Sequence, residues 1–255
     1  MPFFGMSVKF GIFSWRTNAV VSKMNHSIVF FVVIFYIVIF AINIGYLVWR
    51  NQQEKNRTNR IKAIATQKKV IFLEEEAHNI KLKLHEFKLL NTGRSSLVKN
   101  ILFLNLVNAK LYIFDYKYSA FVGKGKDDYW QTVALFSNSH IRIPNFSLKP
   151  RGVIAQLGNF LGSQDIKFKA YTRFSENYLL RGSNENAIRL VFSDHILTFC
   201  ESKIGFYPPI KTTPSIEVED TGFIYYRANI RLEPEQIESF IQEGIEVFDL
   251  FQARQ

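Results

Sequence analysis

The chain has 255 residues, of which 47% are hydrophobic and 15% aromatic, so it could fold as one large domain or two small ones around a packed core. Its single cysteine, Cys200, excludes an intrachain disulfide and a cysteine-based metal cluster, and we interpret this residue as a small buried hydrophobe. The net charge is +10, and most of it lies before residue 70, where there are ten Lys or Arg and one acid. Residues 70–255 hold 22 basic and 21 acidic residues and are therefore nearly neutral. This distribution argues against a nucleic-acid-binding domain, which would need a positive surface.

Residues 1–27 form a short N-terminal segment ahead of the most apolar part of the chain. Its aromatic stretch, FFGMSVKFGIFSW, is interrupted by Gly5, Lys9 and Gly11. A membrane-spanning helix needs about 20 apolar residues, so this stretch is too short and too broken to cross a bilayer. It could lie at a membrane interface or be disordered.

Residues 28–49, IVFFVVIFYIVIFAINIGYLVW, predict a single transmembrane helix. This segment contains no charged side chain, and its only amide is Asn43. Its length is enough to cross a hydrocarbon core of about 30 Å, and Tyr46 and Trp49 stand at one end, where aromatic rings prefer the interface. A cleavable signal peptide would have a shorter apolar core followed by small residues, whereas Arg50 follows here. We therefore predict an uncleaved anchor in the cell membrane.

Residues 50–69 predict a basic helix that leaves the membrane. Its basic residues are Arg50, Lys55, Arg57, Arg60, Lys62, Lys68 and Lys69. The other side of the apolar segment offers only Lys9, Arg16 and Lys23, and this bias predicts that the large carboxyl-terminal part faces the cytoplasm. The same basic cluster could rest on anionic lipid headgroups or could only set the topology, and the sequence leaves both interpretations open.

Residues 70–255 predict one soluble α+β domain with an antiparallel sheet covered by helices. No repeat and no Pro- or Gly-rich linker divides them. Residues 70–73 predict a short strand, and the alternation in HNIKLKLHEFKLL fits either a strand or a helix. Strands are predicted next by four runs rich in β-branched and aromatic residues: LVKNILFLNLV, KLYIFDYKY, WQTVALFS and IRIPNFSL.

The stretch FDYKYSAFVGKGKDDYWQTV, residues 114–133, could be a phosphate-binding loop or a hairpin. Aromatic residues at 112, 114, 116 and 118 alternate along one face of a strand, and a second strand follows the glycines. A P-loop requires G-x-x-x-x-G-K-[ST] leading into a helix, and Gly123-Lys124-Gly125-Lys126 lacks that spacing. The pattern favours a hairpin with a charged tip.

Beyond residue 150 the chain mixes helices and strands. NYLLRG, residues 177–182, predicts a strand, and Ser183 or Asn184 caps a following helix whose apolar spacing continues to Phe199. Residues 215–230 predict a hairpin that turns near Gly222. Pro234 opens a last helix. The apolar stripe of that helix, which we assign to core contact rather than to a partner, comprises Ile237, Phe240, Ile241, Ile245 and Phe248.

The sequence offers no catalytic constellation and no metal or cofactor motif. The five histidines form no H-x-x-x-H or H-E-x-x-H pair, and G-x-S-x-G and G-x-G-x-x-G do not occur. The carboxylate pairs Asp127/Asp128 and Glu219/Asp220 fall in predicted turns, where solvent keeps both acids ionised. We therefore assign no catalytic residue, no metal ligand and no cofactor.

Arg181 is a candidate of a different kind because it stands where a strand hands over to a helix. A cation at such a junction can face a ligand, or it can form a buried ion pair, for which Glu185 and Asp165 are the candidates. Together with Asp115 and Tyr116 of the FDY run, it makes a ligand-binding hypothesis with three named residues.

Several motifs resemble those of a family of uncharacterised bacterial membrane-anchored proteins. The matching runs are FDYKY, QTVALF, IPNFSLKP, FSENYLLRGSNENAIRLVF and YYRANIRLEPEQIESFI, within about residues 56–250. The family pattern is F-D-Y-x-Y, Q-T-V, P-x-F-x-L-x-P and F-S-x-x-Y-x-L-R-G-x-x-E. No activity is established for that family, so the resemblance implies a membrane segment without implying catalytic residues.

These observations predict a single-pass membrane protein whose cytoplasmic domain is a non-enzymatic binding or scaffold module. Its expected partners are the lipid bilayer and a protein in or at the membrane. The alternatives are a sensor of anionic lipid or of a small ligand, and an unrecognised enzyme that uses the region of Asp115, Tyr116 and Arg181.

Overall fold

The structure is a computed structural model, and it describes residues 26–73, 77–84, 87, 96–122, 125–137, 143–152, 165–205, 213–220 and 222–252. The chain divides into two compact units, Met1–Asn56 and Arg57–Gln255. Helix α1 extends over His26–Gln67, so the division falls inside the basic helix predicted for residues 50–69. The prediction for the N-terminal aromatic stretch lies outside the described residues.

In the first unit, the described residues are residues 26–56 of α1, and they include its apolar part. Every side chain from Ile28 to Trp49 is exposed, although nearly all are hydrophobic. Within the described part of the chain, this is the one helix long and apolar enough to cross a membrane, and its most apolar window has a mean hydropathy of 2.9. The predicted apolar helix is confirmed, and by length and composition it is a candidate membrane anchor.

The described residues of the second unit form a single antiparallel sheet of eight strands in the order β1-β2-β3-β4-β8-β7-β5-β6. The strands are β1 (Ile71–Leu73), β2 (Ser96–Asn105), β3 (Lys110–Val122), β4 (Gly125–Ser137), β5 (Phe146–Pro150), β6 (Tyr178–Gly182), β7 (Ser215–Glu219) and β8 (Gly222–Tyr226). The helices are α2 (Ala77–Leu84), α3 (Thr172–Asn177), α4 (Glu185–Val191), α5 (Asp194–Ser202) and α6 (Ile237–Gln252), the last preceded by a 3-10 turn at Pro234–Gln236. The predicted α+β class is confirmed.

The β3–β4 pair answers the question raised by the Gly-Lys-Gly-Lys stretch. The two strands pair antiparallel from Lys110↔Ser137 to Val122↔Gly125, so they form a long hairpin whose tip lies between residues 122 and 125. The hairpin prediction is confirmed. Asp127 and Asp128 are exposed as expected, but they lie within β4 rather than in a turn.

Apolar side chains cover both faces of the sheet. On one face, α2 packs Ile80 and Leu84 against the aromatic side of β3, which settles the ambiguous HNIKLKL segment as a helix. On the other face, the sheet contacts residues 57–67 of α1, α3, α4, α5 and α6. Ile61 and Ala65 of α1 belong to this second cluster, so the carboxyl-terminal turns of α1 are part of the domain core.

Helix α6 supplies much of the core on that second face. Phe248 stacks on Phe136 of β4 with ring centroids 4.5 Å apart. Ile237 and Phe240 are also buried, and Ile241 and Ile245 are partly buried against the same cluster. The predicted stripe therefore makes core contacts, as its spacing indicated.

The long helix predicted after Gly182 is wrong, because the structure contains two shorter helices there. Asn184 caps α4, and its side chain accepts a hydrogen bond of 3.1 Å from the Ala187 amide, as predicted. Helix α4 ends at Val191, and α5 begins at Asp194 after Ser193, whose backbone is extended. Serine is favoured immediately before a helix, at a position where the backbone is not helical. Ser193 therefore separates the two helices, and the apolar spacing continues across this break.

The packing around Gly182, the last residue of β6, explains why the YLLRG motif ends in glycine. A β-carbon at this position would lie 2.6 Å from the Asn145 carbonyl oxygen and would overlap the Ile188 side chain. A β-carbon at Gly244 of α6 would meet its nearest neighbour at 3.5 Å, an ordinary contact. The two glycines therefore make a matched pair for substitution.

We predict that Gly182→Ala destabilises the domain by about 2 kcal/mol, because the Asn145 backbone must move. Gly244→Ala should be neutral or stabilising by up to about 1 kcal/mol, since alanine favours the helix. Thermal unfolding of both full-length variants in detergent tests this. Equal melting temperatures for the two variants would contradict the close approach at Gly182.

Candidate functional site

The site begins with the alternation of β3. Phe114, Tyr116 and Tyr118 point to the face covered by α2, and their intervening neighbours point to the other face. Asp115 is one of these neighbours, and only 2% of its surface is exposed. A carboxylate buried to this degree must find cations and hydrogen-bond donors, because an unpaired buried charge is strongly unfavourable.

Two arginines and two neutral groups surround the Asp115 carboxylate. Arg57 of α1 donates two hydrogen bonds of 2.8 Å, one to each oxygen. Arg231 donates to Oδ2 at 3.0 and 3.1 Å, the Asn100 amide donates to the same oxygen at 2.8 Å, and the Thr132 hydroxyl lies 3.3 Å from Oδ1. We call these five residues the Asp115 cluster.

The cluster keeps Asp115 ionised. Burial, the largest single influence, raises the pKa of its carboxyl. The hydrogen bond from Arg57 and the charges of Arg231 and Arg57 outweigh burial, so the pKa of Asp115 lies below its ordinary value. With two guanidinium groups against one carboxylate, the cluster carries a net positive charge.

Asn100 reaches Asp115 because β2 is irregular at this point. The β2–β3 register shifts between Lys99 and Leu102, and Asn100 has a left-handed backbone with φ of 54°. Asparagine tolerates this conformation better than most residues. Its amide oxygen accepts a hydrogen bond of 2.8 Å from Thr58 of α1, so the bulge connects α1 to the cluster a second time.

The QTV motif positions Arg231. The Thr132 amide donates to the Ile230 carbonyl at 2.9 Å, and the Leu232 amide donates to the Thr132 hydroxyl at 3.0 Å. Gln131, which is fully buried, accepts a hydrogen bond from the Asn229 amide. These bonds hold the segment after β8 along β4, so the guanidinium of Arg231 lies between Asp115 and, at 3.9 Å, the ring of Trp130.

The three residues of the ligand-binding hypothesis do not converge. Tyr116 lies on the opposite face of the sheet from Asp115, and burial raises the pKa of its hydroxyl. Arg181 lies on β6 at the far edge of the sheet, five strand spacings or roughly 24 Å from β3. Its proposed partners pair with other cations, Glu185 with Arg189 at 2.7 Å and Asp165 with Arg151.

The basic cluster predicted at the membrane surface divides into two groups. Arg57 binds Asp115, Arg60 binds Glu235 at 2.5 Å, and Lys68 binds Glu238 at 2.7 Å. Lys62 lies half-buried with its ammonium 5.1 Å from the ring centre of Phe72. The exposed members of the cluster that these contacts leave aside are Arg50, Lys55 and Lys69.

Two further ion pairs are buried in the same domain. Lys149 lies 2.8 Å from Glu217, which also accepts a hydrogen bond from the Tyr226 hydroxyl. Arg227 binds Glu243 of α6 at 2.7 Å. Their positions inside the sheet and its helix layer indicate structural roles.

Cys200 is buried, as predicted, and burial raises the pKa of its thiol to about 12. A thiol with this pKa stays protonated at neutral pH and is a poor nucleophile. Within the described ranges, no group of three or more His, Cys, Asp or Glu side chains could hold a metal ion.

Arg231, Thr132 and Asn100 are partners of Asp115 that the sequence does not directly predict. One signal pointed to them, namely an aspartate in the middle of a strand that is otherwise apolar and aromatic. A buried acid at that position requires a cation from elsewhere in the chain. Arg57 was assigned to the membrane-surface cluster, so its role in the domain was not predicted.

Comparisons with known proteins give a likeness in structure. No family model matches the chain, and no curated protein matches it. Among solved structures, the chain is similar to the crystal structure of the mycobacterial trehalose monomycolate transport factor A, TtfA, with 12% sequence identity and a TM-score of 0.48. The match covers 76% of this chain and 92% of that one. At this identity and TM-score, the likeness carries no argument about function.

We predict that Asp115→Asn lowers the free energy of unfolding by about 3 kcal/mol or more, because two guanidinium groups lose their counter-charge. Arg60→Gln is the control, since Arg60 and Glu235 are both more than half exposed and such pairs contribute about 1 kcal/mol or less. Denaturant unfolding of the detergent-solubilised protein measures both. Similar losses in the two variants would refute a buried charge cluster.

The lowered pKa of Asp115 also predicts a pH dependence. A carboxyl whose pKa is lower in the folded than in the unfolded state stabilises the fold above its unfolded pKa, about 3.9, and this stabilisation is lost as the pH falls through the folded value. Stability of the wild type should therefore fall more steeply below about pH 4 than that of Asp115→Asn. Parallel curves for the two proteins would show that Asp115 titrates normally.

Proposed function

We propose that this chain is a single-pass membrane protein whose α+β domain faces the cytoplasm and acts as a non-enzymatic binding module. The observation that carries the proposal concerns Asp115, the acid of the domain that most resembles an active-site group. Its carboxylate already accepts hydrogen bonds from four residues of the same chain. One of these partners is Arg57 of α1, so the Asp115 cluster connects the sheet to the carboxyl-terminal part of α1.

The anchor and the charge pattern support the membrane assignment. The exposed apolar side chains from Ile28 to Trp49 need a nonpolar environment, and a bilayer supplies it over the required length. Only residues 50–56 separate this segment from Arg57, so the tether of the module is short. The excess of Lys and Arg on the domain side supports a cytoplasmic orientation.

An apolar pocket of about 210 Å³ is our candidate for the binding surface of the module. It lies between the end of α1, strand β2 and α6, and Ile64, Leu104 and Ile241 are among its lining residues. The Lys68–Glu238 ion pair stands at the same place, with both side chains about half exposed. An apolar floor with a charged rim suits an apolar side chain of a protein partner.

The predicted orientation can be tested by thiol labelling. In a Cys200→Ala background, Leu190→Cys places a thiol at a position whose side chain is 81% exposed. We expect a membrane-impermeant maleimide to label it only after cell lysis, and to label Ser14→Cys in intact cells. Labelling of Leu190→Cys in intact cells would place the domain on the other side of the membrane.

The binding function can be tested by purifying the full-length protein and identifying what accompanies it by mass spectrometry. We expect a stoichiometric protein partner with the wild type, at least tenfold less with Ile241→Gln, and an unchanged amount with the exposed control Leu190→Gln. Melting temperatures of both variants control for folding. If no protein accompanies the wild type, or if Ile241→Gln retains it fully, the proposed module or its surface is wrong.

A sensor of anionic lipid is the second candidate function. It is favoured by the exposure of Arg50, Lys55 and Lys69, of which Arg50 directly follows the apolar segment. A lipid that stays with the purified protein while no partner protein does would favour this alternative. An enzyme at Asp115, Tyr116 and Arg181 has less support, since these three side chains do not share one site.

A further inference from the structure

Asn43 supplies the only side-chain amide of the apolar segment of α1, and it lies deep within that segment. It stands about 7 Å along the helix from the midpoint of residues 28–49, well inside the half-thickness of about 15 Å of a hydrocarbon core. Its side chain is exposed, as is every other side chain from Ile28 to Trp49. In the membrane arrangement proposed above, this amide therefore faces lipid, where no water is present to bind it.

The Asn43 side chain uses only part of its hydrogen-bonding capacity within its own helix. Its amide nitrogen donates to the Ile39 carbonyl at 2.7 Å, and this is the one hydrogen bond that Asn43 makes with the described residues. An amide has two N–H donors and an oxygen that accepts, so one donor and the oxygen remain available. Leaving such groups in hydrocarbon is unfavourable, and polar side chains of membrane helices accordingly face another helix.

A second polar group lies on the same face of α1. Tyr36 precedes Asn43 by seven residues, so the two side chains are about 20° apart around the helix and about 10 Å apart along it. The apolar residues Ile39 and Leu47 lie within about 40° of Asn43 and complete a continuous stripe. We call Tyr36, Ile39, Asn43 and Leu47 the Asn43 stripe. Arg50 continues the same face, but it follows the apolar segment and is exposed, so its charge can stay hydrated.

We propose that α1 binds the α1 helix of a second copy of this chain through the Asn43 stripe, forming a parallel homodimer in the membrane. Two copies inserted in the same direction place their Asn43 residues at the same depth, and a two-fold axis lets each amide donate to the oxygen of the other. The Tyr36 hydroxyl, which both donates and accepts, is complementary to itself in the same way. A different protein would have to supply matching groups at this depth, whereas a second copy necessarily does. This inference rests on the proposed membrane anchor and does not depend on the apolar pocket of the domain.

Small residues offer a competing face on the same helix. Ala41 and Gly45 are four residues apart, a spacing that allows membrane helices to pack closely, and among the described residues a β-carbon at Gly45 would have no neighbour within 4 Å. Both lie about 160° around the helix from Asn43, so a dimer can use one face or the other. Packing on the Asn43 stripe also satisfies a polar group, whereas packing on Ala41 and Gly45 does not. Gly45 therefore supplies a matched control at nearly the same depth.

Energy transfer between copies of the full-length protein in phosphatidylcholine vesicles tests the proposal. In the Cys200→Ala background, Leu190→Cys carries a donor dye in one preparation and an acceptor dye in the other. Transfer is measured as the protein-to-lipid ratio rises, and excess unlabelled protein should abolish it. We expect Asn43→Leu to need about tenfold more protein for the same transfer, a loss typical of interhelical hydrogen bonds in a membrane. Asn43→Gln, which keeps the amide, and Gly45→Leu, on the opposite face, should stay close to the wild type.

A loss of transfer in Asn43→Leu alone would support a homodimer through the Asn43 stripe. The proposal is wrong if Asn43→Leu transfers as the wild type does, if Gly45→Leu loses as much, or if unlabelled protein does not compete. It is also wrong if the wild type shows no transfer while Asn43→Leu loses the protein partner recovered by purification, since the stripe would then bind that partner. Carbonate extraction separates the anchor from this inference. Release of the protein from the vesicles would overturn both, whereas retention without transfer would overturn the homodimer alone.

Discussion

The burial of one carboxylate, Asp115, is the constraint on which the rest of the domain depends. An isolated ionised group inside a protein is strongly unfavourable, so the fold must bring cations to it. Arg57 comes from a helix ahead of the sheet and Arg231 from the segment after the last strand, 58 residues before and 116 residues after Asp115. The Asp115 carboxylate thereby binds residues that come before and after the sheet in the chain, and it does so on the β3–β4 hairpin.

This arrangement explains the sequence specificity of motifs for which no chemistry was evident. In the FDY run, Phe114 and Tyr116 fill the core on one face while Asp115 collects the arginines on the other. In the QTV run, Thr132 and Gln131 hold the backbone that carries Arg231. These motifs therefore contribute to the assembly of the domain.

The sequence predicts those parts of the structure that depend on local periodicity. The apolar segment of α1, the β3–β4 hairpin and the apolar stripe of α6 each follow from spacing within one element. The Asp115 cluster could not be predicted in this way, because its members come from five separate places in the chain. Arg57 was also concealed within a run of basic residues that has its own explanation in membrane topology, and the left-handed Asn100 depends on a bulge that only strand pairing reveals.

The most direct test of this account is a double-mutant cycle between Arg57→Ala and Asp115→Ala in the full-length protein. Denaturant unfolding in detergent, followed by tryptophan fluorescence, measures the free energy of unfolding of the wild type, the single variants and the double variant. Because the two side chains share two hydrogen bonds in a buried site, we predict a coupling energy of about 2–3 kcal/mol. Single losses that add to within about 0.5 kcal/mol would contradict the account, since residues in one buried network do not behave independently.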